Sequence, residues 1–175
     1  MEFLYGAVAL IVIILMINIT ILPNVRLKKI YTLLQTCEDK GFFVKAVKNK
    51  NYDFLIENEN MLLLIKTVFI PRNSSVTINS KDTWKLQWGG SSHNKGRVYP
   101  NDRYLNELTP FLKEVIKKDK KVLKVIMLYP STEKVLMYLN ESELDLIDID
   151  KTPYGYKVTT FATFAGDFDK IINIK

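Results

Sequence analysis

Two charged side chains stand inside strongly apolar stretches of this sequence, Asp53 within residues 52–56 and Lys66 within residues 61–70. If these stretches are strands joined by a two-residue turn at Glu59 and Asn60, Asp53 lies directly opposite Lys66 on one face of a sheet. Burying either charge alone would be costly, so the two side chains are expected to interact. They form either a cross-strand ion pair or a phosphate-handling site, in which the carboxylate holds a divalent metal and the lysine lies near the attacking water.

Hydrophobic periodicity predicts the elements that would position this pair. Strands are predicted at residues 42–47, 52–56, 61–70, 76–78, 122–129, 134–139 and 156–164. Helices are predicted at residues 24–39, continuing an apolar segment after a kink at Pro23, and from about residue 102 to 116, where Thr109-Pro110 either kinks or restarts the helix. Residues 141–144 are expected to form a short helix or turn, and residues 84–96 an irregular loop. The whole is a mixed α/β domain in which helices cover a central sheet.

The positions of Asp53 and Lys66, followed by Ile78, Trp84, Pro100 and Arg103 before an amphipathic helix, resemble the nuclease-related domain, NERD. This family is a branch of the restriction-endonuclease-like superfamily with the PD-(D/E)xK motif, and the resemblance covers roughly residues 31–161. It implies a restriction-endonuclease-like mixed sheet flanked by helices. It also implies that Asp53 and Lys66 occupy catalytic positions, with Asp53 as the ligand of Mg²⁺ or Mn²⁺.

Two departures from the family pattern bear on activity. Leu64 stands where the family has an acid two residues before the lysine, and residues 99–103 do not reproduce its Asn-Pro-x-x-Gln signature. We therefore expect a degenerate site, no cofactor, and a binding or scaffold role rather than catalysis. The alternative is a metal-dependent nuclease whose missing carboxylate has migrated, with Glu57, Glu38 or Asp39 as the donor.

Residues 3–22 form an uncharged apolar run that indicates where in the cell the domain is located. As a helix the run spans about 30 Å, the thickness of the hydrocarbon core of a bilayer. It lacks the basic start and the small-residue cleavage site of a signal peptide, so we expect residues 1–23 to be a transmembrane anchor. Arg26, Lys28 and Lys29 follow the run, and the positive-inside rule then predicts a single-pass protein of the cell membrane with residues 24–175 as a cytoplasmic domain.

The formal net charge of +6, concentrated in the middle of the chain, suggests anionic partners. Nucleic acid and the anionic lipid of the inner leaflet are both candidates, as is another membrane protein. The candidate contacts are Lys85, Trp88, Lys95, Arg97, Arg103, Lys117, Lys118, Lys120 and Lys121. The alternative is that the tryptophans pack back on the sheet and the lysines are simply solvated.

Several classes of site are excluded by composition. With one cysteine, Cys37, and one histidine, His93, the chain can form neither an intrachain disulfide nor a zinc site of Cys and His ligands. Cys37 lies at helical spacing from Ile30, Leu33 and Leu34, so we expect it in the core. The sequence also contains no P-loop, no Rossmann glycine fingerprint and no nucleophile elbow.

Overall fold

The computed structural model describes the chain except for residues 1, 90–95, 100–104, 117, 141–142 and 173–175. The helices are α1 (Glu2–Met16), α2 (Leu22–Gln35), α3 (Leu108–Lys113) and α4 (Phe161–Ile172), with a π turn at Ile17–Ile21 and 3-10 turns at Glu38–Lys40 and Pro153–Gly155. The strands are β1 (Phe43–Ala46), β2 (Phe54–Glu57), β3 (Met61–Phe69), β4 (Ser74–Ile78), β5 (Trp84–Trp88), β6 (Arg97–Val98), β7 (Lys121–Tyr129), β8 (Val135–Asn140), β9 (Glu143–Leu146) and β10 (Tyr156–Thr160).

The apolar segment and the first helix of the domain are one continuous helix, Tyr5–Lys40, because the π turn joins α1 to α2. Within this turn the N–H of Leu22 donates to the carbonyl of Ile17. Pro23 follows at once and has no N–H to donate, and its ring would crowd a regular turn. The wider π turn accommodates the proline without ending the helix. By length and composition the helix could cross a membrane.

The strands form two mixed five-stranded sheets rather than the single central sheet that the sequence predicts. Sheet A has the order β1-β2-β3-β7-β10 and sheet B the order β6-β5-β4-β8-β9. In sheet A, β3, β7 and β10 are parallel and β1 and β2 are antiparallel to their neighbours. Each of the two long central strands is followed by a strand of sheet B, so that β3 leads into β4 and β7 leads into β8.

Sheet A is apolar on both faces because it is the middle layer of three. One face packs against α2 and α4 through Ile30, Leu34 and Phe164, together with Leu63 and Val125 of the sheet itself. The other face packs against sheet B and α3, in a second cluster that includes Leu64, Val68, Ile78, Leu86 and Phe111. The helix layer also holds Cys37, which is 2% exposed, so the prediction that it belongs to the core is confirmed.

Two elements differ from the sequence prediction on the sheet B side of the molecule. Residues 84–88 are strand β5 and not loop, with Trp84 and Leu86 buried and Lys85 exposed between them. Helix α3 is much shorter than predicted, and Asp102, near which the sequence predicts that the helix begins, lies outside the described residues. Pro110 does not kink α3. The helix instead begins at Leu108, which agrees with a restart at Thr109-Pro110, and Pro110 falls in the first turn, where a backbone N–H has no intrahelical acceptor.

Two further differences lie toward the C-terminus. Residues 143–146 form strand β9 beside β8 instead of a short helix or turn. The last predicted strand, at residues 156–164, ends at Thr160, and helix α4 begins in its place. The Thr160 hydroxyl accepts the backbone N–H of Thr163 at 3.2 Å, which caps the new helix.

The two ends of sheet A differ, because the start of α2 contacts only one of them. The guanidinium of Arg26 lies 5.6 Å from the centroid of the Phe69 ring, at the last residue of β3. We call this the helix-exit end, because the apolar segment leaves the domain here. The opposite end, where Met61 pairs with Lys121 at the start of β3 and β7, is the far end.

Strand β5 returns to the helix-exit end. The β4–β5 hairpin reaches the far end, since Lys81 and Asp82 line the same cleft as Val122 near the start of β7. The other end of this hairpin pairs Ser74 with Trp88, and Ser74 follows Phe69 after a short connection. Trp88 is therefore at the same end of the domain as the apolar helix.

Candidate functional site

The β2–β3 hairpin has the register that the sequence predicts. Phe54 pairs with Ile65, and Glu57 pairs with Leu62. The turn is held by Asn58, whose side-chain oxygen accepts the N–H groups of Asn60 and Met61 at 3.0 and 2.9 Å. Asp53 extends the ladder by one residue, since its N–H donates to the carbonyl of Ile65 at 2.9 Å.

This register brings Asp53 and Lys66 together, and a second acid joins them. The Nζ of Lys66 lies 3.4 Å from Oδ1 of Asp53 and 3.3 Å from Oε2 of Glu107. The other oxygen of Asp53 accepts the backbone N–H of Thr67 at 2.7 Å. The side chains are 9% exposed for Lys66, 25% for Asp53 and 79% for Glu107, so the lysine is buried beneath two carboxylates of increasing exposure.

Burial dominates the electrostatics of Asp53. Loss of water raises the pKa of its carboxyl group, and Glu107 adds a small increase. The charge and hydrogen bond of Lys66 and the N–H of Thr67 oppose the increase without cancelling it. The buried carboxylate therefore depends on Lys66 for its charge balance, as expected for a cross-strand ion pair.

Glu107 is a site residue that sequence reasoning missed. It lies immediately before α3, far from Lys66 in sequence, and only the packing of α3 across sheet A brings the two together. The predicted donors lie elsewhere. Glu57 pairs with Lys120 at 3.6 Å, and Glu38 and Asp39 are exposed at the end of the α2 layer.

The residue that stands where the family has an acid, Leu64, belongs to the core. Leu64 is 1% exposed and lies in the cluster between the two sheets, on the face that also carries Lys66. The part of the chain that the structure describes holds no group of three or more Asp, Glu, His or Cys side chains able to bind a metal. A divalent ion could have only Asp53 and Glu107 as described ligands, in addition to substrate oxygens. Pro100 and Arg103 lie outside the described residues.

Two of the predicted aromatic and basic contacts, Trp88 and Arg97, form a corner at the helix-exit end, whereas Lys85 pairs with Thr77 nearer the far end. Trp88 pairs with Arg97 across the β5–β6 ladder, and the guanidinium of Arg97 lies 5.7 Å from the centroid of the Trp88 ring. Tyr99 packs edge-on against the same ring. Trp88 is 45% exposed, whereas Trp84 is 6% exposed, so one tryptophan packs on the sheet and the other does not. Lys95 lies outside the described residues.

Three of the predicted lysine contacts, Lys118, Lys120 and Lys121, are at the far end, not beside the Trp88 corner. Lys121 is the first residue of β7, which extends for nine residues, or about 30 Å. Lys118 and Lys121 are exposed, Lys120 donates to the carbonyl of Asn58 at 2.8 Å, and Lys117 is outside the described residues. The segment was expected to follow the end of a helix, but α3 ends earlier, at Lys113.

Two further lysines are partly or fully buried, and sequence reasoning missed both, although each lies within a predicted strand as Lys66 does. Lys124 donates to the carbonyl of Leu112 at 3.1 Å and also to those of Phe111 and Glu114, at the end of α3. It also lines a cleft of about 510 Å³ between α3, β7 and β10. Lys157 is 1% exposed and donates to the carbonyl of Ile149 at 2.7 Å. Burial lowers the pKa of both ammonium groups.

Comparison with known proteins finds no match. No model of a protein family, no curated protein and no solved structure matches this chain. The class of protein is therefore defined by its own architecture, a mixed α/β domain of two mixed sheets with one long apolar N-terminal helix. The resemblance to the NERD family stays a prediction from the sequence.

Proposed function

We propose that this chain is a single-pass membrane protein whose residues 24–175 form a cytoplasmic binding or scaffold domain. The observation that carries the proposal is the apolar helix, since none of its most apolar 18-residue window is buried in the protein. An apolar surface of this size is unfavourable in water but matched to a bilayer, and a helix satisfies its own backbone hydrogen bonds there.

The charges beside the apolar segment support the orientation. Arg26, Lys28 and Lys29 lie in the first two turns of α2. The positive-inside rule favours the cytoplasm for such a cluster immediately after a membrane span. The three residues remain available for this role, because Lys28 and Lys29 are exposed and Arg26 is half-buried at the edge of the domain.

A binding role fits the acid–lysine cluster better than a catalytic one. Asp53 already accepts hydrogen bonds on both oxygens, from Thr67 and Lys66. Lys66 in turn balances two carboxylates. The cluster thus serves as an ion pair that holds β2, β3 and the start of α3 together. The basic surfaces at the two ends are the candidates for ligand contact, with nucleic acid, anionic lipid or another membrane protein as the ligand.

Extraction and labelling of the full chain test this proposal. We expect the protein to stay in the membrane pellet at alkaline pH. The variant Lys45→Cys, at an exposed position of β1, should react with a membrane-impermeant maleimide only after the cells are permeabilised. The unmodified chain is the control, because its only cysteine, Cys37, is buried and burial raises the pKa of the thiol to about 11. Release by alkali, or labelling of intact cells, would refute the anchor or its orientation.

The second candidate function is a metal-dependent nuclease, which the approach of Glu107 to Lys66 favours. Asp53 and Glu107 together supply the one or two carboxylates with which proteins bind Mg²⁺ beside substrate phosphates. In this case Glu107 is the migrated carboxylate that replaces the acid absent at Leu64. When bound, the ion would polarise a phosphoryl oxygen.

A cleavage assay separates the two functions. The full chain in lipid nanodiscs is incubated with labelled DNA and RNA and with Mg²⁺ or Mn²⁺. We expect intact nucleic acid in every case, and any complex should weaken steeply as salt is added. Cleavage that is lost in Lys66→Ala and Glu107→Gln, and kept in the exposed control Lys45→Ala, would establish the nuclease instead.

A further inference from the structure

We propose that Trp88 and Arg97 form a docking corner that binds the anionic phospholipid headgroups of the leaflet from which the helix emerges. The inference rests on the proposed membrane anchor and names the ligand of the helix-exit end. It predicts that the domain lies against the bilayer instead of extending away from it on a free stalk.

The first step of the argument is position. Leu22 is the last residue of the apolar run, and Arg26 follows about 6 Å further along the helix axis. The headgroup layer of one leaflet is about 5 to 8 Å thick. Because Arg26 packs over the Phe69 ring, the end of sheet A is held at the level of the headgroups. The continuous helix keeps the domain in this orientation.

The second step is that sheet B brings the corner to the same end. Trp88 pairs with Ser74, which lies just after the connection from Phe69, and Arg97 pairs with Trp88. The corner therefore faces the bilayer surface from which α2 emerges. The lysines at the far end, about 30 Å along β7, point away from that surface and are excluded from this contact.

The third step is chemistry. Trp88 and Val98 are each 45% exposed, so the corner presents apolar surface to its surroundings. Tryptophan favours the membrane interface, where its ring is apolar and its N–H can meet a polar group. Arg97, exposed and stacked on that ring, offers the planar donor geometry that matches phosphate. Together the two side chains suit a surface that is part apolar and part anionic.

Charge at the same end supports an anionic lipid. Arg26, which is half-buried, and the exposed Lys28, Lys29 and Arg72 accompany Arg97 there, and the exposed Glu133 offsets one of these charges. Basic groups next to a membrane span are attracted to the negative cytoplasmic leaflet. A nucleic acid could contact the same side chains. At this end, however, it would have to enter between the domain and an anionic bilayer, which repels it.

Depth-dependent quenching tests the corner directly. The full chain is reconstituted into nanodiscs that contain anionic or only zwitterionic lipid, with bromine on the upper part of the acyl chains. The sequence has two tryptophans, and Trp84 is buried within the domain, so any quenching should come from Trp88. We expect strong quenching in anionic nanodiscs, weaker quenching in zwitterionic ones, and its loss in Trp88→Phe.

Charge reversals provide the matched control. Arg97→Glu should reduce quenching to the zwitterionic level, whereas Lys121→Glu, at the far end, should leave it unchanged. Equal quenching of the unmodified chain and Trp88→Phe, in a protein that stays in the membrane at alkaline pH, would overturn the docking corner and leave the anchor intact. A protein that alkali releases would overturn the anchor, and the docking corner with it. Quenching that DNA abolishes would reassign the corner to nucleic acid.

Discussion

At the scale of single residues, Lys66 is the centre of the candidate site. It lies within hydrogen-bonding distance of two carboxylates, one mostly buried and one exposed. The pKa of Asp53 shows how this arrangement works, because burial raises it and Lys66 is the largest influence that lowers it. Removing the lysine charge would leave a buried carboxylate whose only remaining compensation is the N–H of Thr67.

We predict that Lys66→Met destabilises the protein by about 2 kcal/mol near pH 7, since the variant leaves a partly buried charge uncompensated. The pKa of Asp53 should rise further in the variant. A carboxyl group whose pKa is raised in the folded state contributes stability that is fully present below its unfolded pKa of 3.8. This stability is lost as the pH rises through the pKa of the folded state. The difference from the unmodified protein should therefore be smallest in acid, as thermal unfolding in mild detergent would show.

The double variant Asp53→Asn/Lys66→Met is the control for this prediction. Asparagine keeps an oxygen that can accept the N–H of Thr67 but removes the charge that Lys66 balances. We expect the double variant to recover part of the stability that Lys66→Met loses. It should also remove the part of the pH dependence of stability that Asp53 causes. A pH-independent loss in the single variant would show that Lys66 acts through packing of its aliphatic chain.

At the scale of elements, α3 depends on a lysine from a neighbouring strand. The helix has six residues and Pro110 in its first turn, so it is too short to be stable by itself. Lys124 of β7 donates to carbonyls at the C-terminal end of α3, where a helix has unsatisfied acceptors and where a positive charge is favourable. Glu107 precedes the first turn of the same helix.

We predict that Lys124→Met loosens α3 and lowers stability by about 1 to 3 kcal/mol, because buried carbonyls lose their donor. Hydrogen exchange of residues 108–113 should accelerate more than that of the central strands. Lys121→Met is the matched control, since it removes an exposed lysine from the same strand and should change stability by less than about 0.5 kcal/mol. Equal effects of the two substitutions would contradict the capping role.

At the scale of the whole molecule, the apolar segment and the domain are separate in their packing. None of the most apolar window of the N-terminal helix is buried, whereas the helix layer of the core begins with Leu27 and Ile30. The domain thus obtains its hydrophobic stabilisation from α2 onward and from both faces of sheet A.

We predict that a fragment of residues 24–175 folds without the apolar segment. It should be soluble and should unfold cooperatively, as measured by circular dichroism during heating. A fragment of residues 36–175 is the comparison, because it lacks α2 and with it Ile30 and Leu34, both fully buried. We expect that shorter fragment not to fold. Aggregation of both fragments would show that the apolar helix contributes to the core.

The sequence by itself determined the features that depend on local patterns. The apolar helix, the β2–β3 hairpin and the pairing of Asp53 with Lys66 follow from hydrophobic length, alternation and a two-residue turn, each within one short continuous segment of the chain. Only the tertiary structure decided that the strands divide between two sheets. It also decided that Glu107 approaches Lys66 and that Trp88 and Lys121 lie at opposite ends. These features depend on contacts between distant segments, whose pairing is set by packing of the whole core and not by the pattern of any one segment.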